Sequence, residues 1–437
     1  MKWRFIYNDP TFYYYLWSGT MALFLNIFGQ PAIIIALVAF IGLILQRAKI
    51  SKIITGTLLS FIGFVLIKTG GKILGGVLIM FSNMFTHAFG MHGVVPSNEA
   101  ITALTMESLG TSAAFILFFA MIINLLLARF TRFKSIYLSL HLVLFMAFSF
   151  TAVLQGMGYN GYTIVASGAV IIGLYMAVFP TLLSKFSRTI IGNNDYCIAH
   201  AGTISYLIGS YLGKWLGNKK NDIEHIKIND RFSFLRQSDV ATFITMFVLL
   251  CLSGAFSSAD YLKDILKNNT FIIFALEQSA IFAGGLYIAK KGVAIFTEEI
   301  IPAFKGFAQV VAPGCVPAVD PMVLFDKAPN CVLVGFIVSF FTEIACVVVF
   351  PFIGLPIIIP GIMASFITGG TAAIFGNSTG GARGAIIAAF VNGLLLCVLP
   401  ALALPLFAFL GVEGVTFADP DFTSLSLITE FIVKLFS

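Results

Sequence analysis

Charged residues are scarce in this sequence. Asp, Glu, Lys and Arg make up 11% of the chain, and the mean hydropathy is +0.97. Soluble globular proteins carry about 25% charged residues, so this composition excludes a water-soluble chain. The longest hydrophilic stretch, 214–237, is too short to form a catalytic domain. We therefore predict an all-α polytopic membrane protein without a soluble enzyme module.

Several chemical signatures are also missing. The six cysteines are scattered without a CxxC pair, and we interpret them as small apolar fillers. No nucleotide-binding P-loop sequence occurs, which argues against ATP hydrolysis. We expect no cofactor, no metal site and no nucleic-acid partner. Lys2 and Arg4 precede an aromatic stretch, so we expect no cleaved signal peptide.

Long apolar stretches dominate what is present. A membrane-spanning helix needs about 20 apolar residues, and ten stretches approach or exceed that length. They lie at about 27–46, 54–88, 108–128, 135–155, 162–184, 239–257, 270–289, 331–350, 354–375 and 385–411. The second is long enough for one or two passes, with an interruption expected at 68–72. Allowing for broken segments, we predict 9 to 12 passes, with about 11 as the single expectation.

Basic clusters predict the orientation, because Lys and Arg concentrate in cytoplasmic loops. The net charge of +6 is attributed to these loops. They are Arg47/Lys49/Lys52, Arg129/Arg132/Lys134, Lys185/Arg188 and the stretch 214–236. If 196–213 crossed the membrane, the most basic loop would lie on the wrong side. We therefore predict that 196–213 is a re-entrant hairpin, which would point His200 into a cavity.

Two segments of the chain match two others about 222 residues later. Val95-Pro96-Ser97-Asn98-Glu99 resembles Val316-Pro317-Ala318-Val319-Asp320, and Gly63-x4-Lys68-x-Gly70 resembles Gly285-x4-Lys290-x-Gly292. We interpret the matches as an internal repeat of the inverted type; coincidence is the alternative. The chain 1–437 would form one transport unit, with repeat 1 at about 27–215, a cytoplasmic loop at about 214–237 and repeat 2 at about 239–437.

Ionisable residues between apolar segments are the candidates for function, because charge at bilayer depth is costly. The strongest are Glu99, Asp320, His141 and His200. Each has a structural alternative: Glu99 or Asp320 as a helix cap, and a histidine bonded to a helix carbonyl. The Gly-, Thr- and Asn-rich stretch 366–384 either approaches a ligand or packs helices closely.

Carboxylates, imidazoles and backbone groups together suit a polyhydroxylated solute, because each hydroxyl both donates and accepts a hydrogen bond. A sugar or a sugar acid fits that inventory. Paired carboxylates and histidines also relay protons. A proton- or ion-coupled symporter of a small polar solute, without phosphorylation, therefore stays open as the alternative.

A set of motifs in a particular order identifies a family resemblance. From about residue 27 to 410, the chain resembles the membrane (IIC) component of ascorbate-type phosphotransferase systems, the SgaT/UlaA group. The motifs are Gly63-Phe64 with Lys68-x-Gly70-Gly71, Gly93-Val94-Val95-Pro96-Ser97-Asn98-Glu99-Ala100, Ala128-Arg129-Phe130-Thr131-Arg132-Phe133-Lys134, the two histidines, Ala318-Val319-Asp320, Ala328-Pro329-Asn330 and Ile359-Pro360-Gly361.

The resemblance implies a homodimer in the bacterial cytoplasmic membrane, with about 11 spans per protomer. A core domain would hold the solute, and a second domain would form the dimer contact. The solute, L-ascorbate by family default, would be phosphorylated by a separate IIB protein that carries a phosphocysteine and is recharged by a IIA protein. The membrane component would not itself be phosphorylated.

The resemblance also implies which residues bind the solute. The binding positions fall on Gly71, Asn98, Glu99, His141, His200 and Asp320. No residue is assigned as catalytic outright; His141 or His200 is the candidate to assist deprotonation of the attacking hydroxyl. Ascorbate members carry glutamines soon after both histidines, whereas this chain has Phe145 and Ala201-Gly202. The solute therefore stays open between ascorbate and another sugar or sugar acid.

Overall fold

The computed structural model describes residues 31–90, 93–226, 234, 237–266, 269–412 and 414–436. The fold is almost entirely helical. The labelled helices are α1 Pro31–Leu45, α2 Ile50–Phe89, α3 Asn98–Leu104, α4 Met106–Phe130, α5 Leu140–Gly156, α6 Gly161–Ile191, α7 Thr203–Leu216, α8 Ser238–Phe256, α9 Ala259–Leu266, α10 Phe271–Val311, α11 Pro329–Val349, α12 Gly370–Phe407 and α13 Pro420–Phe436. The strands are β1 Gly93–Pro96, β2 Ser135–Tyr137, β3 Cys197–Ile198, β4 Val316–Val319, β5 Ile357–Ile358 and β6 Val415–Thr416.

Seven helices of the described residues are long and apolar enough to cross a membrane. They are α2, α4, α6, α8, the first part of α10, α11 and a segment built around α12; α5 is apolar but shorter. The segment 196–213, expected to be re-entrant, forms β3 and most of the 14-residue helix α7. Its relation to the bilayer stays a prediction.

The helix α2 corrects one expectation. It runs without a break through 68–72, where we expected an interruption. Gly70 and Gly71 are buried there, while Lys68 and Lys72 are exposed. Gly70 packs closely against a neighbouring helix. Neither glycine ends α2, because a glycine costs a helix only about 1 kcal/mol relative to alanine.

That neighbour is α10, and the glycines of the matching motifs form the crossing point. A Cβ atom added at Gly70 would lie 2.5 Å from the carbonyl oxygen of Gly285. A Cβ atom added at Gly292 would lie 2.5 Å from the carbonyl oxygen of Gly63. Gly63 of the first motif therefore contacts Gly292 of the second, and Gly70 contacts Gly285. This reciprocal contact shows that the two helices cross antiparallel.

The structure also contains two small parallel sheets. Their central strands, β1 and β4, follow α2 and α10 directly in the sequence. One has the strand order β5-β1-β6 and the other β2-β4-β3. The central strand of each sheet comes from one half of the chain, and its two neighbours come from the other half. The pairing satisfies backbone N–H and C=O groups of these short strands. The two halves are therefore interlocked through backbone hydrogen bonds.

The strand registers of the two sheets are the same. Gly93, the first residue of β1, pairs with the first residue of β5, and Val316, the first residue of β4, pairs with the first residue of β2. The two central strands are thus offset by 223 residues (316 − 93). This register aligns Asp320 with Ser97. The alignment of Asp320 with Glu99, taken from the Pro-x2-acid pattern, is therefore wrong by two residues.

The hydrophilic loop after α7 is held against a break in α12. Gly381 adopts φ 62° and ψ −157° within that helix, a conformation that favours glycine. The freed backbone groups bond to the loop: Asn218 N–H donates to the Gly380 carbonyl at 2.7 Å, and Ala382 N–H donates to the Asn221 carbonyl at 2.6 Å. The polar stretch 366–384 therefore serves close packing at this point.

Two acidic side chains extend this attachment. The Glu224 carboxylate accepts hydrogen bonds from the N–H groups of Asn330 (3.2 Å) and Cys331 (2.7 Å), at the start of α11. Asp222 Oδ1 accepts from Asn377 Nδ2 at 2.8 Å. Burial raises the pKa of Asp222, but hydrogen bonds from Asn377 and from Glu224 N–H outweigh it and hold that pKa below its usual value. Lys227, Arg231 and Arg236, from the predicted basic loop, lie outside the described residues.

Candidate solute site

The carboxyl ends of both sheets line a single cavity. The chain leaving β2, β4 and β3 supplies His141, Asp320 and His200, and the chain leaving β1 and β6 supplies Asn98 and Asp419. Side chains that are far apart in sequence converge here because each follows the end of a strand.

Asp320 serves as a cap and as part of the cavity wall. Its Oδ1 accepts a hydrogen bond from Met322 N–H at 3.1 Å, in the 3-10 helix that begins at Pro321. Its Oδ2 lies 3.8 Å from His141 Nε2. Asp320 therefore caps this helix, which is one of the two alternatives drawn from the sequence, and it also lines the cavity. Contact between Asp320 and the solute stays a prediction.

His141 is the second residue of α5 and 8% exposed. Its Nε2 faces Asp320, and its Nδ1 has no hydrogen-bond partner among the described residues. The alternative expected from the sequence was a structural histidine bonded to a helix carbonyl. The described contacts of His141 include no such hydrogen bond. Phe145 stands one turn further along and meets the imidazole edge-to-face at 6.2 Å between ring centres, so the side next to His141 is apolar.

His200 lies in the turn between β3 and α7 and is held from two sides. Its Nδ1 is 3.0 Å from the Tyr206 hydroxyl. The Tyr175 hydroxyl bridges the His200 carbonyl at 3.0 Å and the Asp421 carboxylate at 2.7 Å. Asp421 also accepts from the Thr203 and Ile204 N–H groups, both at 2.9 Å, and so caps α7. Asp421 was not predicted from the sequence.

In the other sheet, Asn98 links the carboxyl end of β1 to the carboxyl end of β6. Its Nδ2 donates a hydrogen bond to Asp419 Oδ2, and its Oδ1 accepts one from Ala418 N–H at 2.8 Å. Asn98 is 6% exposed and Asp419 is 5% exposed. Asp419 was also missed. The available pattern was an Asp-Pro step just before a helix, present at both Asp320-Pro321 and Asp419-Pro420.

The sequence matches a family model described as "PTS system sugar-specific permease component" (EIIC-GAT) over residues 26–421. The chain belongs to this family. The resemblance stated above is thus confirmed at the level of the family, and the protein is an integral membrane component, in keeping with its long apolar helices.

A curated relative is the "Ascorbate-specific PTS system EIIC component" of Mycoplasma pneumoniae. The two sequences are 21% identical over 439 residues, which cover 87% of this chain and 66% of the relative. The chain thus spans slightly less than two thirds of that protein's length.

Two predicted binding residues are only partly located. Glu99 is the second residue of α3, but its side chain lies outside what the structure describes. Gly71 is buried in α2 next to the crossing with α10. The same helix contributes Ile67 and Leu74 to the cavity wall. The binding roles of Glu99 and Gly71 stay predictions.

A basic side chain also borders the cavity. Lys290 lines it from α10, and its Nζ lies 2.6 Å from Asp239 Oδ1 at the start of α8. The polar wall therefore offers carboxylate acceptors, two imidazoles and an ammonium group engaged by a neighbouring carboxylate. Such a wall can form many directional hydrogen bonds to hydroxyl groups.

Proposed function

We propose that the permease binds a sugar or a sugar acid in this cavity and moves it across the membrane for phosphorylation by a separate IIB protein. The observation that carries the proposal is the convergence of four buried side chains, those of His141, His200, Asp320 and Asn98, around one cavity. The phosphoryl donor would be a phosphocysteine of IIB, recharged by IIA. One of the two histidines would accept the proton of the attacking hydroxyl.

Movement of the solute would use two inverted repeats. A reciprocal, antiparallel contact between α2 and α10 supports this, because a twofold axis that relates two such helices runs perpendicular to them. For membrane-spanning helices that axis lies in the membrane plane, as in inverted-repeat transporters. The central strands β1 and β4 support the same twofold relation, because each lies between two strands of the other half of the chain. About 11 spans, a core domain with a dimerisation domain, and a homodimer complete the proposal.

The solute need not be that of the curated relative. L-Ascorbate is the default that the relative's name suggests, but the positions after the two histidines here are apolar or small. Phe145 packs its ring against His141, and the Ala201 carbonyl accepts a hydrogen bond from Asp421 N–H at 2.8 Å. Neither offers a side-chain hydrogen bond, and a missing polar partner changes selectivity strongly.

A second function is favoured by one observation, the buried pair of His141 and Asp320, 3.8 Å apart. Such a pair can carry a proton through a membrane protein. In a proton- or ion-coupled symporter, the solute would reach the cytoplasm unmodified and uptake would depend on the ion gradient.

One experiment separates these functions. Right-side-out membrane vesicles that contain the permease are prepared with and without enclosed IIA, IIB and a phosphoryl donor. Radiolabelled solute is then added outside the vesicles. We expect labelled sugar phosphate to accumulate only when the carriers are present. Accumulation of unmodified solute that collapses with a protonophore, and does not respond to the carriers, would establish the symporter instead. A His200→Ala variant should lose accumulation in either case.

A further inference from the structure

A chain of hydrogen bonds leads from His200 into the glycine- and threonine-rich stretch 366–384. The Tyr206 hydroxyl lies 3.0 Å from His200 Nδ1. Tyr206 also has a side-chain hydrogen bond with Thr371, and the Thr371 hydroxyl donates to the Ile367 carbonyl at 2.6 Å. The three side chains of this chain are buried, so these hydrogen bonds are made within the protein.

The end of this chain fixes the direction of every proton in it. A carbonyl oxygen only accepts hydrogen bonds, and a hydroxyl group has one proton to donate. Thr371 gives its proton to Ile367, so it can only accept one from Tyr206. Tyr206 gives its proton to Thr371 and can therefore only accept one from His200. Nδ1 of His200 then carries the proton, which leaves Nε2 of the neutral imidazole without one.

The two histidines of the cavity are arranged differently. His200 lines the cavity and turns Nδ1 to Tyr206, so Nε2 is the nitrogen left for a solute. His141 turns its Nε2 to the Asp320 carboxylate, 3.8 Å away, and its Nδ1 is buried without a hydrogen-bond partner among the described residues. An unprotonated nitrogen is therefore available to the solute on His200 rather than on His141.

We propose that Tyr206 and Thr371 are positioning residues that hold His200 as the Nδ1–H tautomer, so that Nε2 of His200 accepts the proton of the solute hydroxyl. This inference rests on the function proposed above and decides between its two histidines. The hydrogen bond at one imidazole nitrogen determines which nitrogen carries the proton.

The proton acceptor has a defined place in the transfer step. The hydroxyl oxygen of the solute bonds to phosphorus while the phosphorus–sulfur bond of the IIB phosphocysteine breaks. The cysteine leaves as a thiolate with the bonding electron pair, and the hydroxyl proton moves to His200 Nε2. The imidazolium returns that proton to water when the phosphorylated product leaves.

The surroundings of the chain hold its members in place. The Tyr206 ring stacks on Phe375, with ring centres 5.5 Å apart and planes inclined by 13°, which restricts movement of the hydroxyl away from His200. Ile367 lies in a π-helical turn, Ser365–Gly369. Such turns are rare and are frequent at functional sites. The stretch 366–384 thus contributes to the site as well as to close packing.

Solid-state NMR of the full-length protein with isotope-labelled histidine, in lipid bilayers at neutral pH, reads the tautomer without solute or carriers. An imidazole nitrogen without a proton resonates far downfield of one with a proton, and the His200 signals are those missing from His200→Gln. We expect Nε2 to be the unprotonated nitrogen in wild type. In Thr371→Val, Tyr206 loses its acceptor and turns its proton to Nδ1, so the Nε2–H tautomer should predominate.

Two further substitutions separate positioning from packing. Thr371→Ser keeps a hydroxyl group and should keep the wild-type tautomer. Thr151→Val is the matched control, because Thr151 is also buried and donates to the carbonyl four residues earlier, at 2.8 Å, in α5. Thr151 has no part in the chain from His200, so its substitution should leave the His200 signals unchanged.

A kinetic measurement adds a second readout for any solute that the vesicle experiment shows to be phosphorylated. At saturating solute, Thr371→Val should lower the rate of phosphorylation by about 100-fold, the lower end of what general base catalysis contributes. Thr371→Ser should restore most of that rate, and Thr151→Val should not change it. Thermal unfolding of each variant establishes that it is folded.

Two results would overturn the inference: a His200 in wild type that carries a proton on Nε2, or an unchanged His200 tautomer in folded Thr371→Val. If Thr371→Val does not fold, Tyr206→Phe takes its place, because it removes the acceptor of the Nδ1 proton and should also abolish the preference. Failure of the proposed function is seen separately. An unprotonated Nε2, together with solute that enters vesicles unmodified with all carriers present, would overturn the phosphotransferase role and leave the tautomer assigned.

Discussion

Asp320 combines two tasks in one side chain, and a single substitution separates them. Asp320→Asn keeps an oxygen that can accept from Met322 N–H, so the local turn should persist. It removes the negative charge 3.8 Å from His141 Nε2. Hydrogen bonds to charged groups contribute about 1.5–3 kcal/mol, so loss of the carboxylate charge should weaken solute binding by about 10- to 100-fold.

We therefore expect solute uptake by Asp320→Asn to fall strongly while its unfolding temperature stays near that of wild type. Radiolabelled uptake by cells and thermal unfolding of the purified protein measure the two effects. Asp260→Asn, which changes an exposed carboxylate, should transport normally. Wild-type uptake by Asp320→Asn would remove Asp320 from the site.

Asn98 and Asp419 form a pair whose members can be exchanged. Asn98→Asp places a second carboxylate against Asp419, and like charges in contact cost several kcal/mol. Uptake and unfolding temperature should both fall. In the double variant Asn98→Asp with Asp419→Asn, an amide again faces a carboxylate, and the residue at 98 keeps an oxygen for Ala418 N–H.

The double variant should therefore recover much of the unfolding temperature lost in Asn98→Asp. The coupling between the two sites is obtained from a double-mutant cycle. If the two changes simply add, the hydrogen bond between these side chains does not stabilise the junction of β1 and β6.

The contact between α2 and α10 predicts how alanine substitution affects four glycines, two inside the contact and two outside it. A Cβ atom at Gly70 or Gly292 would meet the backbone of the other helix. Gly76 in α2 and Gly284 in α10 have nothing within 4 Å of an added Cβ atom. Overpacking costs about 1–3 kcal/mol, whereas Gly→Ala in an open helix position stabilises by about 0.5–1 kcal/mol.

Gly70→Ala and Gly292→Ala should thus lower the unfolding temperature, by similar amounts because their surroundings are reciprocal. Gly76→Ala and Gly284→Ala should leave it unchanged or raise it slightly. Thermal unfolding of the four purified variants provides the comparison. Equal effects at Gly70 and Gly76 would mean that α2 and α10 do not cross at the motif glycines.

The long helices were predictable because hydropathy alone identifies them. The Gly-x4-Lys-x-Gly match could also be found in the sequence, but its role in the contact between α2 and α10 could not. The strands were not predictable. They are only two to four residues long, too short for an alternating pattern, and their pairing joins residues from opposite halves. Without the strand register, the Pro-x2-acid pattern aligned Asp320 with Glu99, and nothing connected Asp419 with Asn98 across 321 positions.

The arrangement of the whole chain has a topological consequence. If the two halves are inverted repeats, α2 and α10 begin on opposite sides of the membrane. Lys49 directly precedes α2 and Thr270 directly precedes α10, and both residues are exposed. The basic cluster that includes Lys49 predicts the cytoplasmic side for it, so Thr270 should face the exterior.

Single cysteines test this orientation in a variant whose six native cysteines are replaced by alanine and whose uptake is retained. A membrane-impermeant maleimide should label Thr270→Cys in intact cells. Lys49→Cys should be labelled only after the membrane is permeabilised. Labelling of both positions from the same side would exclude inverted repeats, because a twofold axis in the membrane plane necessarily places equivalent helix ends on opposite faces.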